Sequence, residues 1–276
     1  MYYKEFLRVR RLFVGFAITI VAIMLFILLL SGHSHVDVSS MAPSHHPGMV
    51  AEAGANDRTN IRGPGIEVSD AGHGFPFAVL FAIAAVAAAI FATILGCFLA
   101  TENNGHLEIA WTRPASRTQY ALAAVVADVV GILAAFAFVV LVEAVLFSLK
   151  GWWHFAYMDP SFYPTLGRFL LYPLAWYGLV AGITASMRGG GLAAGLAWPA
   201  ASILIVLSSL NLPPAIHTIL GLLDYLNPMT YGSYAAGNEA ARHVMMMSPA
   251  VATLGLVGIT VLGLCAALVQ WRRLEA

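Results

Sequence analysis

Three groups of polar side chains stand out in a chain that is otherwise mostly apolar. The first is a compact stretch between two apolar runs, residues 101–120, which reads TENNGHLEIAWTRPASRTQY. The second is a pair of acids, Asp128 and Glu143, inside one apolar run. The third is a set of histidines in a polar segment: His33, His35, His45, His46 and His73. These groups suggest, respectively, docking of another protein, handling of charge within a membrane, and metal binding.

The elements that must position these groups are membrane helices. Of the 276 residues, 60% are hydrophobic and only 10% are charged. A soluble domain carries roughly 25% charged residues, so most of this surface must face lipid. About 20 apolar residues cross a bilayer as a helix, and six stretches qualify: residues 12–30, 75–100, 120–149, 169–187, 192–210 and 250–270. The sequence predicts one all-α transmembrane domain, residues 1–276, and nothing in it indicates a soluble catalytic domain or a nucleic-acid-binding surface.

The distribution of lysine and arginine predicts the orientation of the six helices. With the N-terminus in the cytoplasm, nine of the 14 basic residues lie inside and five lie outside. Both termini are then cytoplasmic, and the polar segment 31–74 forms an outer loop. Residues 211–249 are also outside, and they contain two apolar pieces that can dip into the membrane edge as short helices.

The stretch 101–120 has the features of a docking surface on the cytoplasmic side. A short helix over residues 103–111 would carry on one face, at positions i, i+3 and i+7, Asn104, Leu107 and Trp111. Glu102 and Glu108 flank that face. Pro114 ends the helix, and Arg117 stands where the chain re-enters the bilayer and can reach the headgroups. Physical reasoning alone also allows a solvated loop with ordinary inside arginines.

A family resemblance rests on the same stretch. Glu102, Gly105, Leu107 and Glu108, followed by TRPASR at residues 112–117, resemble the pattern E-x-x-G-T-L-E…T-R-P-[VI]-S-R. That pattern marks bacterial ABC transporter permeases of the exporter-like type-2 membrane family, with His106 standing where Thr is usual. The basic N-terminal segment, the six spans and the final Trp-Arg-Arg, residues 271–273, also match that family.

The resemblance implies that this chain forms the transport pathway and that a separate subunit hydrolyses ATP. Residues 102–113 would form a coupling helix seated in a separate ATPase subunit, with the contact residues Glu102, Asn104, Gly105, Leu107, Glu108, Trp111 and Arg113. Residues 1–11 would be an amphipathic interface helix, and 211–249 would carry re-entrant outer helices. Two permease subunits, as a homodimer or a heterodimer, and two ATPase copies would assemble in the bacterial cytoplasmic membrane and export an amphipathic or hydrophobic substrate.

ATP and Mg²⁺ are expected on the partner chain. The sequence has no G-x-x-x-x-G-K-[ST] motif, and its two lysines, Lys4 and Lys150, stand in no glycine-rich loop. We therefore expect no cofactor, no metal and no covalent chemistry on this polypeptide. A nucleotide site of the P-loop kind must come from a second polypeptide.

Asp128 and Glu143 lie about 10 and 13 Å from the midpoint of their predicted span, within the hydrocarbon depth. An ionised carboxylate at such depth costs a few kcal/mol, so each should face protein or water. Both a polar lining of a transport pathway and a polar contact between helices fit. The second is favoured near Asp128 by a stripe of small residues suited to close packing: Ala124, Gly131 and Ala135.

Two other functions stay open. One is an ion-gradient-driven secondary carrier or channel that uses Asp128 and Glu143. The other is a membrane metal or redox subunit that uses the histidines of segment 31–74, because neutral imidazoles bind Cu or Zn. The spacing of those histidines matches no defined metal site.

Overall fold

The computed structural model describes residues 2–31, 75–97, 117–157, 162–187, 190–208, 210, 213–232 and 249–273. Within those residues the protein is all-α, apart from one pair of two-residue strands. The described residues form eight α-helices: α1 (Tyr2–Ser31), α2 (Ala78–Gly96), α3 (Arg117–Lys150), α4 (Phe162–Thr184), α5 (Gly191–Ser208), α6 (Pro214–Asp224), α7 (Pro228–Gly232) and α8 (Pro249–Arg273).

Six of these helices are long and apolar enough to cross a membrane, namely α1 to α5 and α8. Each coincides with one of the six apolar runs in the sequence, which confirms the predicted all-α membrane fold. The chain is therefore a multi-pass membrane protein.

The first helix extends beyond what a bilayer requires. It runs without a break from Tyr2 to Ser31, so residues 1–11 and 12–30 do not form separate helices. Thirty residues extend about 45 Å, whereas the hydrocarbon core is about 30 Å thick. No proline lies within it, and its one glycine, Gly15, does not interrupt it. The surplus length carries the charged first turns of α1 along the neighbouring helices.

The centre of the bundle is α4, which packs closely on α8 through glycines. A methyl group added at Gly178 would lie 2.8 Å from the carbonyl oxygen of Thr260, and one added at Gly182 would lie equally close to that of Gly263. Helices without side chains at the contact approach until their backbones touch, which is a common way to associate in lipid. On the other side of α4, Trp176 stacks on Trp198 of α5 with ring centroids 4.2 Å apart.

A small polar and aromatic assembly joins the start of α2 to the end of α3. Strand β1 (Phe75–Pro76) pairs in parallel with β2 (Ala156–Tyr157), and a 3-10 helix, Trp152–Phe155, precedes β2. The Trp153 indole donates a hydrogen bond to the Ser148 hydroxyl over 2.9 Å, and its ring lies 5.9 Å from that of Phe77. These contacts hold one end of α2 and one end of α3 together.

Between α5 and α8, the described residues 213–232 form two short helices. Asn227 anchors them, because its amide group donates to the Ala201 carbonyl of α5 over 3.0 Å and accepts from the Met229 amide over 3.0 Å. The Tyr231 hydroxyl donates to the Tyr225 carbonyl over 3.0 Å. Several large apolar side chains of α6 are exposed, including Ile219 and Leu222. The two apolar pieces predicted in 211–249 are therefore helical, at Pro214–Asp224 and Pro228–Gly232.

Candidate functional site

A buried polar cluster of five side chains joins three of the membrane helices. Its members are Glu5 and Arg8 of α1, Tyr120 and Asp128 of α3, and Tyr177 of α4. We call this set the polar cluster. The sequence singled out Asp128 alone among these residues for a role inside the membrane.

The α1 side of the polar cluster comes from one helical turn. Glu5 and Arg8 are three positions apart and therefore lie on the same face. That face points into the bundle, since the side chain of Glu5 is 0% exposed and that of Arg8 is 18% exposed. The neighbouring Arg10 and Arg11 are exposed. In the first turns of α1, Arg8 thus faces the bundle, whereas Arg10 and Arg11 face away from it.

The α3 side depends on the stripe of small residues. Ala124, Gly131 and Ala135 are all buried, as is Asp128, which is 1% exposed. A methyl group added at Gly131 would lie 2.5 Å from Cγ1 of Val9 on α1. Glycine therefore allows α1 to approach α3 closely at this level. The structure confirms the close packing predicted for this stripe.

Each carboxylate oxygen of the polar cluster has a partner, either in an ion pair or in a hydrogen bond. The Arg8 guanidinium contacts Asp128 Oδ1 at 2.5 Å and Glu5 Oε2 at 3.2 Å. The Tyr177 hydroxyl donates to Asp128 Oδ2 and the Tyr120 hydroxyl donates to Glu5 Oε1, each over 2.9 Å. Removing charges from water costs several kcal/mol per ion, and only good pairing offsets that cost. Loss of Arg8 would leave both carboxylates without the cation that compensates them.

Apolar packing around the polar cluster keeps water away from it. Val9, Phe91, Leu95 and Ile132 are buried beside it, and the ring of Phe16 on α1 lies 4.9 Å from that of Phe91 on α2. Beyond Ile20, most described side chains of α1 are exposed. The first half of α1 therefore supplies most of its attachment to the bundle, and the polar cluster is the polar part of that attachment.

Chemically, this arrangement suits mechanical coupling better than catalysis. Its two acids are held by donors, its hydroxyl groups are the phenols of Tyr120 and Tyr177 that donate to those acids, and none of its members is a serine, threonine or cysteine. In the part of the chain that the structure describes, no group of three or more His, Cys, Asp or Glu side chains can hold a metal ion. What the cluster does is tie α1, α3 and α4 to one another.

Glu143, the second acid of α3, has a different environment. Its side chain is 2% exposed, and neither carboxylate oxygen has a hydrogen-bond partner among the described residues. Its neighbours one turn away on the same face, Val139 and Phe147, are buried and apolar. The two acids that look alike in the sequence are thus distinct, because Asp128 is fully paired and Glu143 has no hydrogen-bond partner among the described residues.

The predicted docking residues fall outside the described part of the chain. They are Glu102, Asn104, Gly105, Leu107, Glu108, Trp111, Arg113 and Pro114. Arg117 begins α3, but its side chain is also outside the description. The histidines of segment 31–74 are outside it as well. Residues 98–116 are flanked by α2 before and α3 after.

Comparison of the chain with protein-family models, with curated proteins and with solved structures finds no match. The family suggested by residues 102–117 therefore stays a prediction. Any functional conclusion has to come from the residues and geometry of this chain.

Sequence reasoning missed four members of the polar cluster. Glu5 and Arg8 were visible only as part of a basic N-terminal segment, although their spacing of three residues was a usable signal. Tyr120 and Tyr177 carried no signal, because tyrosines are common at the ends of membrane helices. Their pairing with acids on other helices depends on how the bundle folds.

Proposed function

We propose that this chain is the permease subunit of an ATP-binding-cassette transporter, with residues 102–113 as the docking segment for a separate ATPase. The observation that carries the proposal is the position of the polar cluster. The segment leads directly into α3, and within the first twelve residues of α3, Tyr120 and Asp128 bind α1 and α4. A displacement of the docking segment would therefore move three helices together.

A movement of the docking segment reaches the other helices only if α3 does not bend and its contacts with α1 and α4 do not slip. α3 is a continuous helix of 34 residues, about 51 Å long, and it can act as a rod. Its joint to α1 combines a buried ion pair with the close contact of Gly131 and Val9. Its joint to α4 is the Tyr177–Asp128 hydrogen bond. ATP binding and hydrolysis on the partner would then tilt α1, α3 and α4 as one body.

The remaining parts of the proposal concern topology and assembly. The termini lie in the cytoplasm of a bacterial cell, on the side favoured by the basic residues. The first turns of α1 lie at the inner leaflet, and α6 and α7 are the re-entrant helices of the outer side. Two copies of the chain enclose the pathway and export an amphipathic or hydrophobic substrate. Exposed apolar faces on α1 and α5, such as those at Ile18 and Leu192, suit contact with lipid or a second copy.

Removal of single charges from the docking segment tests the proposal. Glu102→Ala and Arg113→Ala should each reduce recovery of a P-loop ATPase with the affinity-purified chain, while membrane insertion stays normal. Arg11→Ala is the matched control, because Arg11 is an exposed charge that takes no part in the polar cluster. Full retention of the ATPase by both docking variants would argue against this role.

An ion-gradient-driven carrier is the second candidate, and the environment of Glu143 favours it. A buried acid without a partner in the described residues can take up and release a proton during transport. Transport that stops when a protonophore collapses the proton gradient, yet persists in vesicles lacking ATP, would support this second candidate over the first.

A further inference from the structure

An open apolar groove runs along the stretch of α3 that contains Glu143. Its volume is about 740 Å³, within the range of about 300–1,000 Å³ typical of small-molecule sites. The walls come from three helices, with Phe81 on α2, Leu170 on α4 and a long stripe of α3 that includes Phe136, Val140 and Ala144. The groove is open on the flank of a membrane helix, so a ligand would enter it from the bilayer.

The groove walls can contact an apolar molecule, but they offer almost no hydrogen-bonding groups. Ser148 is the polar residue of the lining, and its hydroxyl is already used. It donates to the Ala144 carbonyl over 2.9 Å and accepts from the Trp153 indole over 2.9 Å. A ligand that binds here through the walls alone would be selected by size and hydrophobicity and by little else.

Glu143 lies on the same stretch of α3 as the lining residues Val140 and Ala144, but it is not itself a lining residue. Seven residues separate it from Phe136, which puts the two side chains only about 20° apart around the helix axis. Val140 is three residues before Glu143, about 60° away. Phe136 and Val140 line the groove, and Phe136 is also buried in the core. Glu143 itself is buried, so its flexible side chain has to rotate past these two residues for the carboxylate to reach the groove.

Glu143 has no hydrogen-bond partner among the described residues, and this favours a positively charged ligand. A negative charge in an apolar interior is costly until a positive charge compensates it, and their attraction is strong where water is excluded. No residue in the described part of the chain forms a salt bridge with Glu143. An organic cation in the groove would supply that partner, while a neutral molecule of the same size would not.

We propose that Glu143 and the groove along α3 together form a binding site for a membrane-soluble organic monocation. The inference rests on the proposed transport function and adds the substrate class to it. The apolar body of the cation fills the groove, and its charge lies against the Glu143 carboxylate. The polar cluster has no part in this site, since its carboxylates are already held by Arg8, Tyr120 and Tyr177.

Binding to the purified full-length chain in lipid nanodiscs tests the proposal without ATP or any partner. Tetraphenylphosphonium serves as the cationic probe and N-phenyl-1-naphthylamine as the neutral one. We expect saturable binding of both to the wild-type chain. Glu143→Gln should weaken tetraphenylphosphonium binding at least tenfold and change the affinity of the neutral probe less than twofold. Ala137→Trp, which fills the groove at an exposed lining position, should weaken both.

Val126→Trp is the matched control, since Val126 is exposed on the same helix and does not line the groove. It should leave both affinities unchanged. Unsaturable tetraphenylphosphonium binding, or equal binding by the wild type and the monodisperse Glu143→Gln variant, would overturn the proposal. Failure here would leave ATPase docking at residues 102–113 standing. Conversely, loss of the ATPase proposal would leave a positive binding result intact.

Discussion

Arg8 and Asp128 are 120 residues apart in the chain, and their side chains meet at 2.5 Å in the contact between α1 and α3. Asp128 also accepts a hydrogen bond from Tyr177 of α4, so one carboxylate connects three membrane helices. The contact lies near the start of α3, close to the segment where we propose that an ATPase docks. Each prediction below tests a part of that linkage or of the bundle around it.

Arg8→Ala should destabilise the protein by about 3–5 kcal/mol, because it leaves two buried carboxylates without their cation. Arg10→Ala removes an exposed charge from the same helix and should change stability by less than about 0.5 kcal/mol. Thermal unfolding of both variants in the same detergent measures the difference. Equal midpoints for the two variants would mean that the ion pair adds nothing to the bundle.

Gly131→Ala tests the close approach of α1 and α3. The added methyl would collide with Val9, and overpacking of this kind costs about 1–3 kcal/mol. Gly258→Ala on α8 is the matched control, since nothing lies within 4 Å of the added atom. There the alanine should be neutral or slightly stabilising, as alanine is the better helix former.

Val9→Ala should restore part of the stability lost in Gly131→Ala. If it restores none, the destabilisation does not come from the contact with Val9.

A disulfide between positions 9 and 131 tests whether α1 and α3 move together. The Cγ1 atom of Val9 is 2.5 Å from an ideal Cβ at Gly131, so the two Cβ atoms are about 4 Å apart, within disulfide reach. Val9→Cys with Gly131→Cys, in a chain where Cys97 and Cys265 are replaced, should cross-link on mild oxidation.

Transport by the cross-linked protein should match that of the reduced protein, because the joint is not expected to open. Reduction of the bond provides the internal control. Transport that is lost on oxidation and recovered on reduction would show that α1 separates from α3 during the cycle, contrary to our account.

Asp224 at the end of α6 predicts a pH dependence of stability. Burial raises the pKa of Asp224 above its ordinary value of 3.8, although the Ser208 hydroxyl and His217 lower it in part. The folded state therefore holds this proton to a higher pH than the unfolded state does. Consequently, the contribution of Asp224 to stability decreases as the pH rises from 3.8 through the raised pKa. Asp224→Asn should have a higher unfolding midpoint than the wild type at pH 7.5, and this difference should be smaller at pH 4. A difference between the two midpoints that decreases as the pH rises would contradict this.

Much of the fold could be predicted from the sequence, because the membrane imposes a simple rule on composition. Six apolar runs gave six helices, and the small residues around Asp128 predicted close packing that Gly131 and Val9 provide. The continuity of α1 through its charged start was not predicted. Nothing breaks the helix there, and the charges of Glu5 and Arg8 are compensated inside the bundle instead of in water.

The candidate sites were harder to predict, because they depend on contacts between distant residues. No local pattern relates Arg8 to Asp128 or Glu5 to Tyr120, since each pair is joined only by the packing of α1 on α3. The contrast between Asp128 and Glu143 has the same origin. Both are acids in one apolar helix, and only the neighbouring helices decide that one has partners and the other, among described residues, has none.

Site-specific cross-linking at Leu107 tests the central claim most directly. A photoreactive phenylalanine analogue at this position, activated in native membranes, should capture one protein, and its sequence should contain a P-loop motif. The same analogue at Val126, on the exposed face of α3, should capture no such protein. Capture of lipid alone at position 107, or labelling of that position by a membrane-impermeant reagent added outside intact cells, would contradict the account.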